Sequence, residues 1–367
     1  MPADVDTRPR YRFFTVLTIG LAAFLFAGIG LWNYRLNPLA YDRSQLREVA
    51  GMLVQGQNYA NYDTNINWRA LRREQIYQMK ATPDVVVFGG SRWWEAHADL
   101  FPGQRFFNAW VSNDQAEDAL ALAYMLDHAG RLPKTLILSL RFISFQPPAE
   151  REAAEWQEWS GEYRAMAARL GVAPHSYFDT MPVKNWSGLF YAPAVFERAR
   201  QVAAAPEKPG PTTLMQKPSL EVIAADGSIH WSKKSLAKYT KKFVDGNVRK
   251  ELLKIGDRAP KIDPALVDAM GKAIGFLRSK GVRVILVQTP YHPDFYTEIQ
   301  KRPFGKTLNS LESIAQDMSR RWGVISVGGY DPARFGCVGA DFIDQIHSKP
   351  SCLSKVVGLI PAKDKGV

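Results

Sequence analysis

Cysteine is nearly missing from this 367-residue chain: there are two, Cys337 and Cys352, both close to the C-terminus. Two thiols exclude a disulfide-stapled scaffold and a cysteine-based metal centre. Histidine is also sparse, and His97, His128, His175 and His230 keep no metal-ligand spacing with one another or with the cysteines, so no metal is expected. A Gly-rich phosphate loop is lacking, which removes the sequence case for a nucleotide, and no cofactor is expected. Internal repeats are lacking too. The net charge is +11, yet the 47 Lys and Arg residues are scattered among 36 Asp and Glu without forming a block or a basic helix face. That dispersion argues against nucleic acid as a partner; a face turned to anionic headgroups or an acidic polysaccharide suits it better.

What the chain does have is one long apolar run. Phe14 to Trp32 (FTVLTIGLAAFLFAGIGLW) carries no charge, is about as long as a helix needs to cross the hydrocarbon layer, and ends in an interfacial aromatic. No polar face interrupts it, as one would in the helix of a soluble protein. Arg8, Arg10 and Arg12 precede it, so retention of positive charge predicts residues 1–13 in the cytoplasm and the remainder outside, although Arg35 and Arg43 weaken that asymmetry. A cleaved signal peptide would show a shorter apolar core and a clear small-x-small site, and neither is clear. The expectation is therefore a single-pass anchor in the cytoplasmic (inner) membrane, residues 14–32, with an extracytoplasmic, periplasmic globular part. Residues 33–80, rich in Arg, Asn, Gln and Tyr, are expected to form a juxtamembrane segment that leads the chain away from the bilayer.

The chain as a whole is 46% hydrophobic and 23% charged, and the length beyond the span suffices for one large α/β domain with an insertion. Short β-branched runs alternate with helical periodicity. Strands are predicted at 84–88, 105–108, 135–140, 282–288 and 324–327, with helices at about 116–129, 264–280 and 306–322 between them. Strands separated by helices imply right-handed crossovers and a parallel sheet covered on both faces. The predicted fold class is α/β: a three-layer α/β/α, flavodoxin-like domain over 81–360. A large insertion at about 145–262, between strands three and four, opens with a helical stretch near 149–170. An insertion of this size usually sits at the carboxyl ends of the strands, where it can shape a cleft.

Strand, tight Gly turn and serine is an arrangement that lifts a hydroxyl to the top of a sheet, and it occurs here as Val85-Val-Val-Phe-Gly-Gly-Ser91. A helix after Ser91 would add partial positive charge to the nucleophile. The same Gly-Gly-Ser is also an ordinary helix N-cap. Support comes from Asp344-Gln-Ile-His347 after the last strand, a spacing that lets the carboxylate orient the imidazole while its other nitrogen takes a proton from serine.

At these residues the sequence resembles the SGNH/GDSL hydrolase superfamily, over roughly 83–145 and 282–358. The resemblance implies a catalytic Ser91, Asp344 and His347. Phe107-Asn-Ala-Trp-Val-Ser-Asn-Asp-Gln115 is similar to the family's Asn-Ala-x-x-Ser-Gly-Asp, whose Gly donates a backbone N–H to the oxyanion. Asn113 stands in that place, and Asn enters left-handed backbone more easily than other side-chain-bearing residues. The family's Gly-x-Asn-Asp after the third strand is missing: Ser139-Leu-Arg-Phe-Ile-Ser144 replaces it. Arg141 is one candidate for the lost donor; a structural ion pair is the plainer alternative. Trp93 and Trp94 are either a sugar-stacking platform or packing, and Tyr291 and His292 either contact substrate or simply hold a loop. Cys337 and Cys352 either pair, closing a loop around Asp344 and His347 that removes about 3 kcal/mol of unfolded-state entropy, or stay as two buried thiols.

Anchor and motif together look most like the SGNH proteins of cell-envelope acylation, of the alginate-acetylation and teichoic-acid D-alanylation kinds. The resemblance implies an acyl-Ser91 intermediate, a multi-span membrane-bound O-acyltransferase as donor partner and a polysaccharide hydroxyl as acceptor. Two other readings stand beside it: an esterase or lipase that passes the acyl group to water, and a non-catalytic glycan-binding or scaffold module.

Overall fold

A computed structural model describes residues 8–35, 43–61, 66–151, 155–174 and 207–361. Residues 1–7 of the expected cytoplasmic segment, His175 and the stretch 175–206 of the insertion lie outside the described residues. Helix α1 (Arg8–Arg35) belongs to the first of two units. Its window Tyr11–Ile29 has a mean hydropathy of 1.9 and is exposed throughout, so it is long and apolar enough to cross a membrane.

The second unit is the folded domain. It opens with α2 (Arg43–Val54), β1 (Asn58–Asn61) and α3 (Trp68–Gln78). The strands and helices of the core follow: β2 (Val85–Phe88), β3 (Phe106–Asn108), α4 (Ala116–His128), β4 (Thr135–Ser139) and α5 (Ser160–Leu170), with only 3-10 turns between β2 and β3. The insertion contributes β5 (Gly210–Thr212), β6 (Glu221–Ile223), β7 (Ile229–His230), α6 (Lys233–Lys238) and α7 (Lys241–Ile255). The chain then returns to the core through α8 (Pro264–Ser279), β8 (Arg283–Gln288), α9 (Pro293–Gln300), α10 (Pro303–Trp322), β9 (Ile325–Gly328) and α11 (Pro350–Gly358).

The main sheet has five strands, all parallel, in the order β3-β2-β4-β8-β9. Counted along the chain this is 2-1-3-4-5, the flavodoxin-like order, whose switch point lies between β2 and β4. Strand residues alternate between two apolar layers. Val86, Phe88, Leu136, Leu138, Val284 and Leu286 pack with α4, α5, α8 and α10. Val85, Val87, Ile137, Ile285 and Val287 face the other way, onto Leu353, Val356 and Val357 of α11 and onto Trp93, Trp110 and Trp231. Three layers result, as a continuous β-branched strand buried on both faces requires.

Two features depart from the sequence reading. Residues 43–61 and 66–80 do not form a segment leading away from the domain: Leu46, Val49, Ala50 and Leu53 of α2 and Leu71 and Ile76 of α3 are buried in it. The polar look of this stretch is misleading because two of its arginines are themselves buried and matched. Arg69 pairs with Asp118 and Glu155, and Arg72 donates to the carbonyls of Trp110 and Gly227 and to Gln75. In addition, β1 joins three insertion strands in a four-stranded antiparallel sheet of order β5-β1-β6-β7. These strands are two to four residues long, too short for a readable alternation.

Candidate active site

Ser91 follows the carboxyl end of β2, beside the switch point of the sheet. The two glycines before it are required by space. A side chain at Gly89 would run into Ser139 and Trp93, and one at Gly90 into the Asp114 carboxylate and the Arg141 guanidinium. No α-helix follows Ser91; a single 3-10 turn, Ser91–Trp93, does. Asn108 at the end of β3 pins that turn and the residues beyond it: its amide donates to the carbonyls of Trp93 (2.7 Å) and Ala96 (2.9 Å).

The loop between β9 and α11 brings Asp344 and His347 to the same edge. Ser91 Oγ lies 2.8 Å from His347 Nε2, and His347 Nδ1 lies 2.7 Å from Asp344 Oδ2. The carboxylate acceptor assigns the proton to Nδ1 and leaves Nε2 as the acceptor of the serine proton. Asp344 Oδ1 accepts from the backbone N–H groups of Ile346 and His347, both at 2.9 Å. Burial pushes the Asp344 carboxyl up, but the imidazole and these N–H donors outweigh it and hold it below the ordinary value, so it stays ionised. Trp94 stacks on the His347 ring, centroids 4.2 Å apart and planes at 19°.

The loop itself is fixed at several points. Ile343 N–H donates to the His347 carbonyl at 2.9 Å, Phe342 and Ser348 form a β-bridge, and His292 N–H donates to Gln345. Cys337 and Cys352 are joined in a disulfide with Cα atoms 5.5 Å apart, which encloses Asp344 and His347 in a 15-residue separation.

Asn113 is the one residue other than glycine with positive φ, at 44°, among the described residues. Neither its backbone N–H nor that of Ser91 meets an acceptor among the described residues. Its side chain donates to Glu155 (3.0 Å), which also accepts from the Ser112 hydroxyl (2.6 Å) and pairs with Arg69 (2.8 Å). Arg69 and Glu155 therefore position the 112–113 turn, a role no local motif announces, since 86 positions separate them.

A cavity of about 810 Å³ opens over Ser91, with Asn113, Arg92, Arg141 and Tyr291 among its lining residues. The insertion supplies one wall through Glu251 and Ile255 of α7 and the stretch 258–261 behind it. Arg141 is ion-paired to Asp114 at 2.8 Å, and Asp114 also accepts from the Ser144 hydroxyl at 3.0 Å.

Two expectations are corrected. Trp93 cannot be a sugar platform, because it is fully buried in the apolar layer under the sheet. His292 does not line the cavity: it is 4% exposed and its Nδ1 caps α9 by accepting from Asp294 N–H, the bland alternative. Tyr291 does line the cavity, but its ring is covered by the Arg92 guanidinium 3.9 Å from its centroid. Among the described residues no cluster of three or more His, Cys, Asp or Glu is placed to hold a metal ion. No protein-family model matches the chain, and no curated protein matches it.

Proposed function

We propose that this protein is a membrane-anchored serine O-acyltransferase of the SGNH type, moving an acyl group to a polysaccharide hydroxyl through an acyl-Ser91 intermediate. The observation that carries the reading is the continuous hydrogen-bond chain Ser91–His347–Asp344 at the carboxyl edge of a 2-1-3-4-5 parallel sheet. Residues 256 positions apart meet there at hydrogen-bond distance in a base-to-nucleophile orientation.

In this reading His347 Nε2 takes the Ser91 proton as Oγ attacks the acyl carbonyl. Asp344 stabilises the imidazolium without taking its proton. The carbonyl oxygen becomes an oxyanion received by the two unpartnered N–H groups, Ser91 and Asn113. Collapse breaks the bond to the leaving alkoxide, which takes the proton back from His347. An acceptor hydroxyl, deprotonated by His347, then attacks acyl-Ser91 and leaves as the new ester, restoring the serine hydroxyl. If water enters instead, the same machinery is an esterase. The α1 helix suits an anchor with the domain outside the cytoplasmic membrane, where a multi-span acyltransferase is the natural donor.

The test is the intact mass of the full-length protein in detergent micelles after exposure to a fluorophosphonate or an activated acetyl ester. A stoichiometric adduct that Ser91→Ala abolishes is the expected result. Wild-type protein that acquires no adduct from any such reagent would remove the serine-enzyme reading. Adding glycan acceptors to the acetylated protein then separates transfer from hydrolysis.

A further inference from the structure

Two arginines lie at the floor of the cleft beside Ser91, and both are buried: Arg92 is 2% exposed and Arg141 7%. Their partners do not balance them. Arg141 has one carboxylate, Asp114, against its Nε, and its two terminal nitrogens have no acceptor among the described residues. Arg92 has no carboxylate within ion-pair distance among the described residues; it donates to the Thr289 carbonyl at 3.1 Å and covers the Tyr291 ring, and its Nε has no partner. Two guanidinium charges thus share one carboxylate in a site shielded from water.

Arg69, Arg72 and Arg73 of the same domain have their guanidinium nitrogens met: Arg72 has no carboxylate within ion-pair distance among the described residues, but all three of its nitrogens donate, to the Trp110 and Gly227 carbonyls and to Gln75. Arg69 is buried against two carboxylates, Asp118 and Glu155, and Arg73 sits between Glu158 and Glu162. Burial depresses the Arg141 guanidinium; Asp114 opposes that, while the neighbouring Arg92 charge adds to it. An uncompensated buried cation is costly, and a cost kept at the mouth of a nucleophile is offset when an anion arrives there. A planar guanidinium fork matches the oxygens of a carboxylate or phosphate.

We propose that the cleft selects an anionic substrate, whose carboxylate or phosphate, close to the reacting ester, seats on Arg92 and Arg141. The inference rests on the acyl-transfer reading above and names the chemical class it acts on. Two sources fit: the acyl group bears the anion, as in a dicarboxylic half-ester, or the acceptor bears it, as in a uronic acid or a sugar phosphate.

Calorimetry on the full-length protein in detergent, at constant ionic strength, measures binding of succinate, glucuronate and inorganic phosphate, with glucose as the neutral control. The anions are expected to bind and glucose not. Arg92→Met, which keeps an apolar stem over Tyr291, weakens anion binding by about tenfold, and Arg141→Lys, which keeps a cation for Asp114, weakens it as well. The source is read from Ser91 acylation by 4-nitrophenyl acetate and 4-nitrophenyl hemisuccinate. A roughly tenfold preference for hemisuccinate, lost in Arg92→Met, assigns the anion to the acyl group. Equal acylation, with faster deacylation by glucuronate than by glucose, assigns it to the acceptor. Anions that bind no better than glucose, or equally well to Arg92→Met, overturn the proposal. So does an Arg141→Lys variant that only slows the neutral ester, since that describes an oxyanion donor. Failure of Ser91 to acylate with any ester would remove the acyl-transfer reading, and calorimetry would still decide the anion site.

Discussion

In the proposed mechanism Asp344 orients the His347 imidazole and stabilises its charge, and the geometry states how it is held. One oxygen receives the imidazole Nδ1 and the other is tied to two backbone N–H groups, so the carboxylate cannot rotate away. Asp344→Asn keeps the shape but offers an amide N–H where an acceptor is needed, which favours the wrong tautomer of His347. We expect Ser91 acylation to fall by about 10⁴ with the circular dichroism spectrum unchanged; loss of less than tenfold would deny Asp344 this role. These three residues are legible in sequence because their signals are local: a Gly-Gly-Ser turn, and an acid three positions before a histidine. The positive φ of Asn113 is legible for the same reason. Trp93 and Trp94 are not, because two identical neighbours carry no sign of which enters the core and which stacks on the imidazole. The Arg69–Glu155 brace is equally silent, since only the fold brings α3 to the turn before α5.

Among elements, the small antiparallel sheet meets the segment after Ser91 through histidines. His97 stacks on His230 of β7 at 4.1 Å, and its Nδ1 lies 2.9 Å from the Ser228 hydroxyl, which donates to Asp226. Burial lowers His97, while the charges of Asp226 and Asp99 oppose it. Burial and then His97 push His230 down to about 4 from an ordinary 6.5. Between those values the unfolded chain takes up protons that the folded chain refuses, so stability is full above about 6.5 and is lost as pH falls toward 4. Denaturant unfolding from pH 7.5 to 4 should show that loss, and His97→Phe/His230→Phe should flatten it. An unchanged slope in the double variant would place the acid sensitivity elsewhere. The sequence offers no such pairing, because His97 and His230 lie on separate elements and neither neighbourhood has a strand pattern.

At the scale of the whole molecule, the apolar span and the parallel α/β core are plain in the sequence, since long uncharged runs and β-branched strands between helices have few other outcomes. The start of the folded domain is not. Burial of α3 depends on charges matched by residues 49 to 89 positions away, which no window of sequence displays. That hidden start carries a practical consequence for anyone expressing the domain. Strand β1 lies inside its sheet, between β5 and β6. A recombinant piece begun at residue 81 would lose that strand and both ladders it makes, leave bare edges on β5 and β6, and uncover the apolar surface under α2 and α3, an invitation to intermolecular pairing. A piece begun at residue 43 retains all of it, and should remain monodisperse in size-exclusion chromatography where the shorter one aggregates.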